Sequence, residues 1–348
     1  MSMTNAAPAT DNAPEQRDFR RIGLLALSDI ASLCAAEPLE TGIVHGLISP
    51  RSINIAVGDS GLGKTPLFYQ LGACVAAGIP FLGNPVRQGR VIYFDYENGL
   101  SEILDLCEAL KRFLGLDEFP TDFRVRPFTG DATTSVETAV KEFRPVLCII
   151  DSLRGYDSLA ETKNDRAVFC VQDLRRIARK YETSFQLLHH TRKPGENGVP
   201  ALEDAPPMDW LLQACGARAL INQTDVRVGL GTTEGVERTL AKQQPTAEVA
   251  LVMRGFARMR GQFGPVYLAR EFDSHGDPAG YRQLRGTELL FNEDQQTAYR
   301  QLPNEFSFTE AKRIYGHADQ ATSDFLQKCR RVGILSRVGR GRYRKVAE

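Results

Sequence analysis

A glycine-rich segment with one lysine carries the clearest chemistry in this sequence. Residues 58–65 read GDSGLGKT and fit the pattern GxxxxGK[ST] at every fixed position. In this pattern the backbone N–H groups of the loop surround phosphate oxygens, the lysine reaches the β- and γ-phosphates, and the final hydroxyl ligates Mg²⁺. The pattern predicts a site for ATP and Mg²⁺ formed by Gly58, Asp59, Ser60, Gly61, Leu62, Gly63, Lys64, Thr65 and Pro66.

The flanking residues place this loop between a strand and a helix. The apolar run INIAV (53–57) precedes it, and an apolar segment continues to Ala77. The N-terminus of the predicted helix adds partial positive charge beside the phosphates. A glycine turn with a surface lysine is the alternative, and the strand and helix on either side make it the weaker one.

Two carboxylates follow later strands. Asp151 ends the buried run VLCIID (146–151), where a P-loop enzyme holds the Mg²⁺ shell, so Thr65 and Asp151 are the predicted metal ligands. Glu97 lies in FDYENG, just after a second apolar run. Taken alone, Asp151 could be a strand cap and Glu97 a solvated loop residue.

Strands and helices alternate through the first two thirds of the chain. This order predicts an α/β fold with a mainly parallel sheet. The expected strands are 53–57, 91–95, 123–128, 145–151 and 185–190, and the expected helices are 101–115, 133–143 and 165–181.

The pattern is less regular at both ends of this region. Residues 22–39 suggest a helical or mixed segment, and 42–47 a short strand or turn. A polar, Gly/Pro-rich loop is expected at 191–207. A short helix near 210–213, a strand near either 218–221 or 226–230, and a hairpin-like pair (249–259 and 264–272) complete the predicted elements.

The C-terminal residues form a separate pattern of three helices and a hairpin. The helices are expected near 292–302, 307–316 and 319–333, the second opened by a capping box from Ser307 to Glu310, and the hairpin spans 334–346. This arrangement predicts a small winged helix-turn-helix domain, with apolar residues such as Phe325 facing inward. Its third helix and arginine-rich wing would contact DNA, through Gln320, Thr322, Arg330, Arg331, Arg337, Arg340, Arg342 and Arg344. Protein contact is the alternative use of such a domain.

Charge distribution agrees with this division. The whole chain is formally neutral, but residues 305–348 carry ten Lys/Arg and five Asp/Glu, which leaves a net −5 on residues 1–304.

Seven scattered cysteines without metal-ligand spacing predict reduced thiols. The polar residues 1–21 predict a disordered leader and no signal peptide. We therefore expect a cytoplasmic protein without a membrane partner.

Four motifs in order carry a resemblance to a known family. GDSGLGKT, VIYFDYENG, LCIIDSL and LLHHTRK resemble the RecA-like ATPases that include the RepA-type plasmid replicative helicases, with wider kinship to DnaB-type and KaiC-type ATPases. The resemblance covers roughly residues 40–275. It implies a ring, with a hexamer as the expected assembly, and ATP between subunits. Lys64 and Thr65 would bind phosphate and Mg²⁺, Asp151 would orient the metal, and Glu97 would be the catalytic base.

The resemblance also assigns roles to His190 and to two arginines. His189 and His190 follow the strand FQLL, where such proteins place a γ-phosphate sensor, and we favour His190. Arg258 and Arg260 resemble a strand end that reaches into a neighbour's ATP site. Alternating exposed arginines on an edge strand are the alternative.

Two segments lie where RecA-like rings line their pore. They span residues 154–165 and 191–214 and carry Arg154, Lys163, Arg192 and Lys193. These cations could contact single-stranded DNA, although a solvated loop explains them nearly as well.

These observations predict three regions: a leader (1–21), a RecA-like ATPase domain (22–286) and a winged helix-turn-helix domain (287–348). The expected function is an ATP-hydrolysing, DNA-associated motor, such as a RepA-type helicase or translocase of a plasmid, phage or other mobile element. The expected partners are single-stranded DNA in the ring pore, duplex DNA at the winged helix, and further copies of the chain. An ATP-switched DNA-binding regulator or loader without strand separation is the main alternative, and a recombinase-like filament is a weaker one.

Overall fold

The computed structural model describes residues 26–36, 42–128, 135–192, 202, 206–216, 218–232, 250–257, 261–273, 278–289 and 293–346. The chain divides into two units, residues 1–41 and 42–348. The first unit contains helix α1 (Leu27–Ala36), on which Leu27 and Ile30 are exposed. The predicted leader lies outside the described residues.

A nine-stranded sheet forms the centre of the second unit, in the order β3-β2-β4-β5-β1-β6-β7-β8-β9. Strands β1 to β6 pair in parallel, and β7, β8 and β9 are added in antiparallel pairs. The strands are β1 (Ile53–Gly58), β2 (Val91–Asp95), β3 (Phe123–Pro127), β4 (Leu147–Asp151), β5 (Ser184–His190), β6 (Val226–Thr232), β7 (Ala250–Ala257), β8 (Gly261–Phe272) and β9 (Pro278–Gln283). The predicted α/β fold with a mainly parallel sheet is confirmed.

Helices cover both faces of this sheet. They are α2 (Lys64–Ala77), α3 (Leu100–Phe113), α4 (Val136–Phe143), α5 (Leu153–Tyr156), α6 (Ser158–Thr162), α7 (Asn164–Tyr181), α8 (Pro207–Leu211) and α9 (Arg218–Gln223). Alternate residues of β1 enter different hydrophobic clusters. Ile55 packs with residues of α4 and α7, whereas Ala56 packs with residues of α2 and α3. The continuous apolar run of β1 follows from burial on both faces.

The sheet order brings the chemically interesting strand ends together. Strand β5 lies next to β1, β4 next to β5, and β2 next to β4. The carboxyl ends of these four parallel strands are Gly58, His190, Asp151 and Asp95. Ligands bind at this edge in open α/β sheets.

Three predicted features differ in the structure. Residues 218–221 lie in helix α9, so the predicted strand is the alternative, β6. The segment 154–165, expected as a loop, contains helices α5 and α6 because Leu153 and Ala160 are buried against the core. The short helix expected near 210–213 lies earlier, at Pro207–Leu211.

A C-terminal module, residues 293–346, follows a 3-10 turn at Gly286–Leu289. Its elements are α10 (Glu293–Gln301), β10 (Glu305–Ser307), α11 (Phe308–Tyr315), α12 (Asp319–Arg331), β11 (Leu335–Gly339) and β12 (Arg342–Lys345). Strands β10, β12 and β11 form an antiparallel sheet in that order. The module has its own hydrophobic cluster, which contains Phe325, Leu326 and Ile334. The three helices and the hairpin match the sequence expectation, and the capping box between Ser307 and Glu310 is present.

The third strand of this module was not predicted. Strand β10 has three residues and pairs with β12 through Phe306 and Tyr343. Its length is too short for an alternating pattern to be recognised.

Among the helices that the structure describes, none combines the length and apolar character needed to cross a bilayer.

Candidate functional site

The glycine-rich loop connects β1 to α2 and holds its lysine inside the loop. Gly61 and Gly63 have positive φ angles of 78° and 88°, a conformation that favours glycine. Lys64 is 5% exposed. Its Nζ donates to the carbonyl oxygens of Gly58 and Asp59, at 2.9 and 3.0 Å. The ammonium group therefore lies beside the backbone that the phosphate-binding pattern predicts to surround an anion.

Thr65 and Asp151, the predicted metal ligands, are in direct contact. The Thr65 hydroxyl donates to Asp151 Oδ2 at 2.7 Å, and the buried Tyr93 hydroxyl donates to the same oxygen at 2.7 Å. Burial raises the pKa of Asp151 to about 6, although both hydrogen bonds oppose this shift. A hard cation beside the carboxylate would favour its ionised form.

Asp95 holds the turn that carries Glu97. Its carboxylate accepts the backbone N–H groups of Glu97 and Asn98, at 3.0 and 2.9 Å, and the Asn98 side-chain amide. Tyr69 of α2 donates to the other oxygen at 2.8 Å. These bonds fix the turn after β2 against the helix that follows the glycine-rich loop.

Glu97, His190 and Lys64 form one connected line. Glu97 Oε1 lies 3.2 Å from His190 Nε2, and His190 Nδ1 lies 3.3 Å from Lys64 Nζ. Because the carboxylate only accepts and the ammonium only donates, Nε2 carries the hydrogen and Nδ1 accepts. The bond to His190 lowers the pKa of Glu97 to about 2, against the opposing effect of burial.

This donor set fits a nucleotide with Mg²⁺. The hydroxyl of Thr65 and the carboxylate of Asp151 are oxygen ligands of the type that Mg²⁺ takes together with phosphates. Lys64 and the first turn of α2 supply positive charge at the same strand edge. Glu97 is 39% exposed, so solvent can reach it.

Comparison with known proteins identifies the family. A family model described as an AAA domain (AAA_25) matches residues 19–196, slightly more than half of the chain. The chain belongs to this AAA domain family. No curated protein matches the sequence.

One solved structure to which this chain is similar is that of the KaiC-like protein PH0186 from the hyperthermophilic archaeon Pyrococcus horikoshii OT3. Its identity to this chain is 12%, and the match covers 70% of this chain and 93% of that one, with a TM-score of 0.43.

The two adjacent histidines at the end of β5 have different surroundings. His190 contacts Lys64 and Glu97, whereas His189 is fully buried on the other side of β5. His189 Nε2 donates to the carbonyl oxygen of Cys215 at 2.7 Å, and its Nδ1 lies 3.5 Å from Glu161. Of the two, His190 is the one that contacts the lysine of the glycine-rich loop, and its role as a phosphate sensor stays a prediction.

Burial of His189 predicts a pH-dependent stability. Desolvation lowers its pKa from 6.5 to about 4; the hydrogen bond to Cys215 opposes this shift, and the charges of His190 and Lys64 add to it. Between these values the unfolded chain binds a proton that the folded domain does not, so stability falls as pH decreases from 6.5 to 4. The contribution is about 3 kcal/mol when complete.

Urea unfolding at pH 7, 5.5 and 4 measures this loss. His189→Gln is expected to remove most of it, because an amide donates to Cys215 without titrating. His45→Gln is the control, since His45 is exposed. Equal pH slopes for the wild-type chain and His189→Gln would contradict the interpretation.

Several predicted AAA-domain residues remain untested. Arg258 and Arg260 lie outside the described residues, as does Lys193, so their proposed roles stay predictions. Arg154 lies on α5 and is 3.9 Å from Glu161. Arg192 donates to the carbonyl oxygen of Leu212 at 2.8 Å. These two cations therefore make contacts within the fold.

The predicted DNA-contacting residues lie on α12 and the β11–β12 hairpin. All are exposed except Thr322, whose buried hydroxyl bonds to the carbonyl oxygen of Ala318 at 3.1 Å. Arg344 also binds Glu305 at 2.7 Å. Thr322 thus packs inside the module, because its position on α12 faces the core with Phe325 and Cys329.

Sequence reasoning missed five residues that support the site. They are Tyr69 and Tyr93, which donate to Asp95 and Asp151, Asp95 itself, and Arg270 and Tyr281, which lie against Gly63. Asp95 ends an apolar run as Asp151 does, and that signal was available. The other four depend on contacts between distant segments, for which the local pattern gives no indication.

Proposed function

We propose that this AAA domain protein is a Mg²⁺-dependent ATPase that acts on DNA. The observation that carries the proposal is the convergence of Lys64, Thr65, Asp151, Glu97 and His190 at the carboxyl ends of neighbouring strands. In this site Lys64 and the loop bind the phosphates, and Thr65 and Asp151 hold the metal. Bound Mg²⁺ would neutralise charge that develops on the transferred phosphoryl group.

Glu97 and His190 are proposed to act on the attacking water and on the γ-phosphate. Glu97 is ionised at neutral pH, and its lowered pKa keeps it ionised well into the acidic range. An ionised carboxylate can accept a hydrogen bond from water and orient it. His190 lies between Glu97 and Lys64, and its neutral ring can exchange hydrogen-bond partners when the phosphate leaves.

The C-terminal module supports the DNA part of the proposal. Its element order, with α12 followed by an antiparallel hairpin, agrees with a winged helix. Arg330 and Arg340 are exposed and have no ion pair within the described part of the chain. Cations of this kind bind phosphates without breaking an internal contact.

For the finer function we propose a ring-forming motor of the RepA type, acting in replication of a plasmid, phage or other mobile element. The resemblance of the four sequence motifs supports it. An ATP-switched regulator or loader is the second candidate, and the basic C-terminal module favours it because duplex binding is not needed for strand separation. Assembly into a hexamer and the pore-lining role of residues 154–165 are parts of the first candidate.

One experiment distinguishes these candidates. ATP hydrolysis is measured without DNA, with single-stranded DNA and with duplex DNA, and the mass of the assembly is measured with and without ATP. Stimulation by single-stranded DNA together with a ring-sized assembly supports the motor. A nucleotide-dependent change in duplex binding without stimulated turnover supports the regulator, and the absence of ATP binding contradicts both.

Charge reversal at the hairpin tests DNA binding by the module. In Arg340→Glu/Arg342→Glu we expect weaker duplex binding and a log–log salt dependence that is flatter by about two units, because each phosphate contact contributes nearly one. Both side chains are exposed, so folding is expected to be unchanged. Filter binding or fluorescence anisotropy at several salt concentrations measures the slope.

The matched control reverses two exposed charges outside the module. Lys141→Glu/Arg179→Glu changes the net charge equally on α4 and α7. We expect its salt slope to equal that of the unmodified chain. If the hairpin variant has the same affinity and slope as this control, the module does not contact duplex DNA.

A further inference from the structure

Tyr281 of β9 contacts the glycine-rich loop from the antiparallel part of the sheet. Its hydroxyl donates to the carbonyl oxygen of Gly63 at 3.1 Å, with the carbonyl oxygen of Leu62 at 3.5 Å. Gly63 precedes the first residue of α2, and the same carbonyl accepts the N–H of Leu67. Tyr281 therefore bonds to the backbone at the junction between the loop and its helix.

A second pair of hydrogen bonds fixes Tyr281 relative to α2. The side-chain amide of Gln70 donates to the carbonyl oxygen of Tyr281 at 2.8 Å, and its oxygen accepts the Tyr281 N–H at 2.7 Å. Gln70 is 3% exposed and Tyr281 1%. Buried bonds of this kind are costly to break, since the freed groups have no water to bind.

The contact at Gly63 is close on the side that faces Tyr281. A Cβ atom built on Gly63 would lie 1.9 Å from the Tyr281 hydroxyl and 3.0 Å from a terminal nitrogen of Arg270. Arg270 of β8 also lies over the Tyr281 ring, 5.8 Å from its centre. Tyr281 and Arg270 therefore lie against the loop at Gly63, one of its two glycines with positive φ.

We propose that Tyr281, held by Gln70 and covered by Arg270, is a positioning residue that maintains the nucleotide-binding conformation of the loop at Gly63. The inference rests on the proposed function, because it assumes that this loop binds ATP. Tyr281 acts through Gly63 and does not touch the reacting atoms. It is expected to affect affinity for ATP and ADP alike, with little effect on the chemical step.

Tyr281→Phe tests this role by removing the hydroxyl and keeping the ring. One neutral hydrogen bond contributes about 1 kcal/mol, so we expect Kd for ATP and ADP to rise about 5- to 10-fold. We expect KM to rise similarly and kcat to remain within about twofold, the pattern for loss of uniform binding. Binding is measured with a fluorescent ATP analogue, followed by competition with unlabelled ATP and ADP.

Tyr299→Phe is the matched control. Its hydroxyl donates to the carbonyl oxygen of Ile334, also at 3.1 Å, within the C-terminal module. This variant loses a comparable buried bond and is expected to keep the wild-type Kd. If the wild-type chain binds ATP and both variants bind it equally well, the positioning role is wrong. If the wild-type chain itself does not bind ATP, the proposed function fails instead.

Discussion

Replacement of Glu97 by glutamine is expected to slow ATP hydrolysis by about 100- to 10,000-fold, the range for loss of a general base. ATP binding is expected to remain intact, because the amide occupies the same volume and Lys64 still contacts the loop. Single-turnover hydrolysis and equilibrium binding of ATP separate the two effects. Turnover close to the wild-type rate would contradict the assignment of Glu97.

The control for this prediction is Glu102→Gln. Glu102 is an exposed residue in the first turn of α3. Its replacement by glutamine removes one negative charge close to the turn that carries Glu97. We expect a rate within about twofold of the wild type, as for surface changes that remove no catalytic contact. A large loss in this variant as well would indicate a general charge effect at the end of β2.

Replacement of Lys64 by alanine is expected to weaken ATP binding at least about 100-fold, because hydrogen bonds from a charged donor contribute roughly 1.5–3 kcal/mol each. The cation is buried within the loop. Water in its place would not supply positive charge at the same point. Equilibrium binding of a fluorescent ATP analogue measures the change, and circular dichroism checks that the chain remains folded.

Lys141→Ala provides the comparison, since Lys141 is an exposed lysine on α4. It is expected to bind ATP with the wild-type Kd. If Lys64→Ala also binds normally, the loop does not hold the phosphates in the proposed way, and the role of Thr65 must be reconsidered with it.

The hydrogen bond to His190 affects how strongly Glu97 can accept a proton from water. A carboxylate with a pKa near 2 is a weak proton acceptor, although it can orient water well. Loss of this hydrogen bond would raise the basicity of Glu97, because the bond is the main cause of its low pKa. His190→Ala is therefore informative about whether this bond restrains or assists hydrolysis.

The fold could be predicted where local pattern and burial agree. Strand β2 was expected at 91–95 and occurs at Val91–Asp95, because every residue in it is buried. The choice between 218–221 and 226–230 needed tertiary information, since both runs are short and apolar. Helices α5 and α6 were not predicted, because most residues of this segment are polar and only a few, such as Leu153 and Ala160, pack inward.

The residues of the candidate site also form two groups: those that a local sequence pattern predicts and those that it does not. The glycine-rich loop, Asp151 and Glu97 have local signatures, and the structure brings them together. The contact of Tyr281 with Gly63 joins residues that are 218 positions apart, and no periodicity in β9 indicates it. His190 could be favoured over His189 only weakly, because the alternation of a strand shows that they face opposite sides but not which side holds the phosphate.

The position of β1 in the sheet also has a consequence for synthesis of the protein on the ribosome. This strand is the first of the sheet to be made, yet its partners are β5 and β6, with Ile53 opposite Phe185 and Asn54 opposite Val226. Pairing over such separations closes long loops and is slow. We therefore expect β1, which leads into the glycine-rich loop, to lack both of its strand partners until more than half of the chain has emerged from the ribosome. For a nascent chain stopped before β5 is complete, we therefore expect the proposed nucleotide site to be absent and added ATP to leave the folding rate unchanged.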